Sequence, residues 1–367
     1  MSVNTQKNSY NNKSVNIEIE ILRFFMITSI AILHFSEDMS TQLGNVEHGI
    51  IPGGYLGVEF FFLISGFFLA KRFEREDRNN SEKAKIYERC FLFFIDRLKR
   101  LYPQYIIATL MMLGIISYLN NFTINQVFDH IWQTKFSYFM LHFLGPNFDF
   151  DMRSVWFIPI VLIIGYMCYI FLCINKEVFI GIIPIIDLAI FGYLYREYNQ
   201  IGVQGVNFGV IKCSWLVGFL DMSLGIIAFY ICIMLKERSK DKLIMHVIKF
   251  VILAGIIYIM IFHGFDEGDF FALLLMFFWI ILSELFPCKF GNKLSKCFIY
   301  LGKISYNIYL YHLIVSMLLC RILFNKNYFH AIAIFLFMTY LISVIMYIGE
   351  MIFRCNCKKV IKEFRNK

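Results

Sequence analysis

The feature that most constrains this chain is a repeated run of about twenty apolar residues. A helix crossing the hydrocarbon of a bilayer needs roughly that length, and the stretches Trp156 to Ile174 and Ala331 to Ile352 supply it almost without charge. Apolar runs read against turn and charge signals place spans at 17–36, 50–70, 101–119, 156–174, 178–195, 209–235, 244–263, 270–286, 304–324 and 330–353. With 59% hydrophobic and 17% charged residues, the chain has more apolar side chain than a soluble domain of this length can hide. The expected fold is therefore all-α: a polytopic integral membrane protein with about ten transmembrane helices. No cleavable signal is expected, because the first sixteen residues are polar and the apolar stretch that follows is long and carries Arg23. The chain then divides into a polar N-terminal segment, 1–16, a transmembrane domain, 17–353, and a basic tail, 354–367.

Charge orients the spans. Lys71, Arg72, Arg75, Arg78, Lys83, Lys85, Arg89, Arg97, Lys99 and Arg100 crowd the connection after the second span. Lys236, Arg238, Lys240 and Lys242 follow the sixth, Lys289, Lys293, Lys296 and Lys303 the eighth, and Lys358, Lys359, Lys362, Arg365 and Lys367 the tenth. The intervening loops instead carry Glu37, Asp38, Glu47, Asp266, Glu267 and Asp269. By the positive-inside rule the even-numbered exits and both termini face the cytoplasm. The net charge of +8 is thus a topology signal and no argument for a nucleic-acid partner. The ten cysteines scatter between apolar runs and basic inner segments, which predicts free thiols. Cys355 and Cys357 alone make a poor metal site, and no metal is expected. The longest outer connection, 120–155, contains an aromatic, amphipathic piece from Asn125 to Leu144 suited to lie on the outer membrane surface.

Ionisable residues inside spans mark function by default, since each costs several kcal/mol in hydrocarbon unless paired or wetted. Arg23 and His34 share the first span. Eleven steps of about 100° bring them back to nearly the same face, roughly 16 Å apart along the axis. Either one cavity holds both, or Arg23 snorkels to the inner surface while His34 meets water near the outer one. Periodicity does not choose between these.

Further residues fit a pattern. The second span reads GGYLGVEFFFLISGFFLA, with Glu59 and then Ser65, Gly66 and Phe67; DRLKRLYPQY supplies Arg97, Arg100 and Pro103; SVWFIPI contains Trp156; and LGKISYNIYLYHLIV carries Ser305, Tyr306 and His312. Glu350 follows in the last span. Together with the Arg and His of the first span, in this order and topology, they resemble the acyltransferase-3 family of membrane acyltransferases. The fourth span departs by lacking the acidic residue many relatives carry after the Trp.

The resemblance implies transfer of an acyl group, most simply acetyl, from an acyl-CoA to a hydroxyl of a cell-surface polysaccharide or its lipid-linked precursor. The expected partners are then acyl-CoA, the glycan and membrane lipids; the location is a bacterial plasma membrane, and an oligomer is open.

Such a transfer needs a base with a pKa near the operating pH, a cation for the donor's phosphates and donors for the developing oxyanion. His34 is the best base or acyl carrier, supported by Arg23. Arg97 and Arg100 hold the donor or merely anchor the helix. Glu59, a catalytic candidate, needs a partner, for which Arg23 is the obvious cation, either in a structural ion pair or directly in catalysis. Ser65 permits close helix packing or takes a polar role in the acyl path, and Trp156 is assigned to the donor site by the resemblance. His312 competes as the base of a Ser305–His312 pair, against plain packing with Tyr306 and Tyr309. The rival function is a secondary transporter or flippase using the same buried Arg, His and Glu, which inverted repeats and broken spans would favour; neither is visible in the sequence.

Overall fold

The computed structural model describes residues 15–43, 49–79, 86–141, 153–203, 205–209, 211–236, 243–323 and 326–365. Among them the chain forms α1 (Ile17–Gln42), α2 (Leu56–Asn79), α3 (Ile86–Leu119), α4 (Ile124–Gln133), α5 (Lys135–Tyr138), α6 (Phe157–Tyr198), α7 (Cys213–Leu235), α8 (Leu243–Phe262), α9 (Gly268–Leu285), α10 (Asn292–Leu323) and α11 (Tyr328–Arg365). Short 3-10 turns, Pro52–Tyr55 and Arg153–Trp156, lead into α2 and α6, and a two-residue hairpin pairs Asn207–Phe208 with Ile211–Lys212. Several residues used above lie outside the described ones: 1–14, Glu47, Lys83, Lys85, His142 to Leu144, Arg238, Lys240, Lys242, Lys367 and the side chains of Cys357, Lys358, Lys359, Lys362 and Arg365. The described cysteines are all free thiols.

Nine helices among the described residues are long and apolar enough to cross a membrane. The sequence predicts about ten spans, and α6 accounts for the difference. Its 42 residues are about twice what a bilayer needs, and its backbone leaves helical geometry at Asn175. The Asn175 side-chain oxygen accepts from Val178 N at 3.1 Å, which caps the second half. Lys176 then pairs with Glu74 of α2 at 3.0 Å. α6 is thus two spans joined by a capped bend, and the architecture is that of an all-α polytopic membrane protein.

Contacts sort the helix ends into two layers. At one end Lys249 pairs with Glu18 at 2.8 Å, Lys71 with Glu284 at 2.7 Å, and Asn16 Nδ2 donates to Ser283 O at 3.0 Å. Asn16 also caps α1 by accepting from Glu18 N and Ile19 N. At the other end Asp269, heading α9, accepts from the Tyr55 hydroxyl at 2.5 Å and from the amides of Ile201 and Gly202. Along the bundle α2 and α7 approach closely: a Cβ on Gly66 would lie 1.9 Å from Met222 O, and one on Gly225 1.9 Å from Leu63 O. Small residues permit backbone contact of this kind between membrane helices. On the periphery α8 and α11 leave large apolar side chains exposed, with Phe250 at 72% and Phe353 at 65%. A continuous apolar exterior of that kind is a lipid face.

The outer connection does not simply rest on the surface. α4 keeps Ile124, Phe128 and Trp132 exposed along one stripe, as an interfacial helix would. The chain then turns inward: Ser137 and Met140 are buried, Tyr102 donates its hydroxyl to Tyr138 O at 3.0 Å, and Tyr105 donates to Ser137 O. Tyr102 lies seventeen residues before Leu119 on α3, about 25 Å of helix. The connection therefore re-enters the bundle, because buried tyrosine hydroxyls on α3 need acceptors that its carbonyls supply.

Candidate active site

The site is built along α1 and α10, which run parallel. Glu20 faces Gly302, where an added Cβ would come within 1.7 Å of the Glu20 carboxylate. Farther along, His34 meets His312, and Asp38 Oδ2 accepts from Ser316 Oγ at 2.5 Å.

At the Glu20 end, Arg23 Nη1 pairs with Glu20 Oε2 at 3.0 Å. Its side chain is 18% exposed, and its buried Nε has no hydrogen-bond partner among the described residues. Arg100 of α3 lies within electrostatic range of Arg23, Glu20 and Arg354. Arg354 donates to Glu350 at 2.6 Å and reaches Arg100 O at 3.5 Å. Arg97 turns another way, onto the Phe93 ring 5.2 Å away, which it shares with Arg72 at 5.1 Å. The two arginines of the motif therefore stand within range of each other but end on different neighbours. Three guanidinium groups, Arg23, Arg100 and Arg354, against two carboxylates, Glu20 and Glu350, leave an excess of positive charge, a setting suited to a phosphate-bearing ligand.

Toward the other end the chemistry changes. His34 Nδ1 contacts Glu37 Oε2 at 3.3 Å, and its ring stacks on His312 with centroids 5.5 Å apart and planes 20° off parallel. A carboxylate on Nδ1 fixes the tautomer that leaves the Nε2 lone pair outward, which is how imidazole bases are oriented. His312 is fully buried, and its Nδ1–H donates to Ile308 O at 3.1 Å. Tyr309 packs against His312 and Phe157, which brings the start of α6 to this end.

Two candidate pairings do not form. Glu59 is fully buried but faces Asp221 of α7, while Arg23 is held by Glu20. The reason is direction: α2 presents Glu59 to α7, the helix it packs against most closely, and not to the Arg23 face of α1. Ser305 does not join His312, since its hydroxyl donates to Gly302 O at 2.6 Å. Ser65 likewise donates to Phe61 O in its own helix at 2.7 Å, beside the close contact at Gly66. Trp156 lies at the head of α6 against Phe62, at the imidazole end and away from Arg97 and Arg100. Sequence reasoning passed over Glu20 and gave Glu37 to a loop, whereas α1 runs on to Gln42 and carries it; each lies three residues from its partner, a spacing that makes helix neighbours.

Comparison with known proteins bears on this geometry. The family described as an acyltransferase domain matches residues 16–348. Proteins of Staphylococcus aureus strains COL and Mu50, both provisionally named O-acetyltransferases, are 26% identical over 332 residues, covering 80% of this chain and 49% of theirs. The chain thus spans about half the length of these curated relatives. A protein of Acidianus two-tailed virus, provisionally named an acetyltransferase, is 26% identical over 327 residues, covering 84% of this chain and 85% of its own. No solved structure matches.

Proposed function

The chain belongs to the acyltransferase-3 family, and from that premise we propose that it moves an acyl group, acetyl in the simplest case, from a cytoplasmic acyl-CoA to a hydroxyl of a surface polysaccharide or its lipid-linked precursor. The observation that carries the reading is the division of labour along one helix: convergent guanidinium groups at one end of α1 and paired imidazoles near the other.

In this reading Arg97 and Arg100, with Arg23 and Arg354 beside Arg100, hold the donor's phosphates, and the Arg23 Nε is a donor ready for that anion. His34, oriented by Glu37, takes the proton of the acceptor hydroxyl. The oxygen attacks the thioester carbonyl, the new C–O bond forms as the C–S bond breaks, and the departing thiolate gains a proton to leave as thiol. His312 buttresses the His34 ring and limits its rotation. A covalent variant, in which the His34 imidazole first carries the acyl group, uses the same placement. The cytoplasmic location of both termini follows from the charge alternation and belongs to the same proposal.

The experiment is analysis of surface glycans in cells with and without the gene, complemented by wild type or His34→Ala. Ester-linked acyl groups that vanish with the gene, return with wild type and fail to return with His34→Ala are the expected result. Unchanged glycan esters, together with no thioester cleavage by purified protein, would end the assignment.

A further inference from the structure

On the side of the bundle away from His34, α2, α6 and α7 bury three carboxyl groups. Glu59 and Asp221 are fully buried and Asp187 is 5% exposed. Glu59 neighbours Asp221, and Asp187 lies within electrostatic range of it. Neither oxygen of Asp221 has a hydrogen-bond partner among the described residues, and Asp187 Oδ2 has none. Asp187 Oδ1 accepts from Ser223 at 2.5 Å.

The groups acting on Asp221 and Asp187 are carboxyls and a hydroxyl, and those beyond them are mostly acidic, hydroxylic or thiol. Toward the outer end Tyr55, one turn before Glu59, donates to Asp269 of α9, with Asp266 and its partner His263 beyond. Toward the inner end Cys168, in the first half of α6, lies within range of Asp187, and the next residue, Tyr169, donates its hydroxyl to Glu76 of α2. No Lys, Arg or His is among the groups acting on Asp221 or Asp187. These carboxyls also do not gather with a third ligand into a metal donor set among the described residues.

A lone carboxylate in such surroundings costs several kcal/mol, and two side by side do not both ionise. Carboxyl groups gathered out of water are relieved of that cost by a bound proton. We propose that Glu59, Asp221 and Asp187 form a proton-binding site in the middle of the bundle, reached from the outer end past Asp269 and Tyr55. Its use rests on the acyltransferase reading above. An acyl group passed from an inner thioester to an outer hydroxyl leaves one proton outside, from the hydroxyl, and requires one inside, for the thiolate. A protonatable row at membrane depth is suited to returning it.

The test labels protein in nanodiscs, without donor or acceptor, using dicyclohexylcarbodiimide. This reagent adds a protonated carboxyl across its C=N bond in apolar surroundings. Adducts mapped by peptide mass to Glu59 or Asp221, declining as pH is raised, are expected; infrared spectra should show a protonated-carboxyl band that disappears in Asp221→Asn, an isosteric change checked for folding by gel filtration. Either result supports the site. The absence of both overturns it. Neither readout needs turnover, so a negative result leaves the acyltransferase assignment standing, and a protein inactive in transfer can still be labelled.

Discussion

The two ends of the Arg23–His34 face of α1 differ in kind. At the Glu20 end guanidinium groups outnumber carboxylates: Arg23 is paired with Glu20, and Arg100 lies within range of both and of Arg354, which is paired with Glu350. At the other, imidazoles and carboxyls are matched, with Glu37 on His34, His312 stacked beside it and Ser316 on Asp38. Roughly 16 Å of helix separates Arg23 from His34. An excess of fixed cations calls for an anion and gives affinity; an oriented imidazole beside a second one handles protons and gives rate. On the proposed reading α1 is a ruler between binding and chemistry, and a donor with a charged head and a long flexible arm fits it better than a compact one.

Substitutions that separate affinity from rate break or sharpen this contrast. His34→Ala should reduce transfer by about 10² to 10⁴-fold, the usual worth of general-base assistance, while thioester affinity stays put. An equal fall in donor affinity would erase the distinction between the ends, and near wild-type turnover by His34→Gln would remove His34 from the chemistry. The double change Arg97→Gln with Arg100→Gln should have the opposite signature. Donor affinity, measured by calorimetry, should weaken by at least about tenfold through lost charge-assisted hydrogen bonds, with kcat largely kept at saturating donor; single Arg→Lys variants should lose less. If affinity holds in the folded double variant, these arginines only anchor α3.

Glu37→Gln probes orientation. Glu37 touches His34 and is a positioning residue, so kcat should fall by about tenfold with donor KM unchanged, and Glu37→Asp should recover part of it. A shift in KM alone would place Glu37 in binding. The smallest effect is expected at Arg354, which is 45% exposed and already paired with Glu350. Exposed ion pairs are worth little, so Arg354→Gln should weaken donor affinity by a few-fold at most. A loss as large as that of the Arg97/Arg100 double variant would move the centre of the donor site from α3 to α11.

The same contrast divides what was legible in the chain from what was not. Hydropathy and charge determined the spans, including the bend at Asn175, because a bilayer demands about twenty apolar residues per crossing and a polar residue between two such runs can cap a turn. Helical periodicity put Arg23 and His34 on one face, and the i,i+3 spacing already held Glu20 and Glu37. Only the tertiary structure decided which faces meet. His312 is some 278 residues from His34 and joins it because α1 and α10 run parallel. Glu59 turns to Asp221 rather than Arg23, and the outer connection turns inward to Tyr102 and Tyr105. In lipid, apolar side chains are interchangeable, so hydropathy says that a helix crosses but not what it touches. Partners are chosen by small residues such as Gly66, Gly225 and Gly302 that let backbones or a carboxylate approach, and by polar groups that must find one another, which are relations between distant segments that no local pattern encodes.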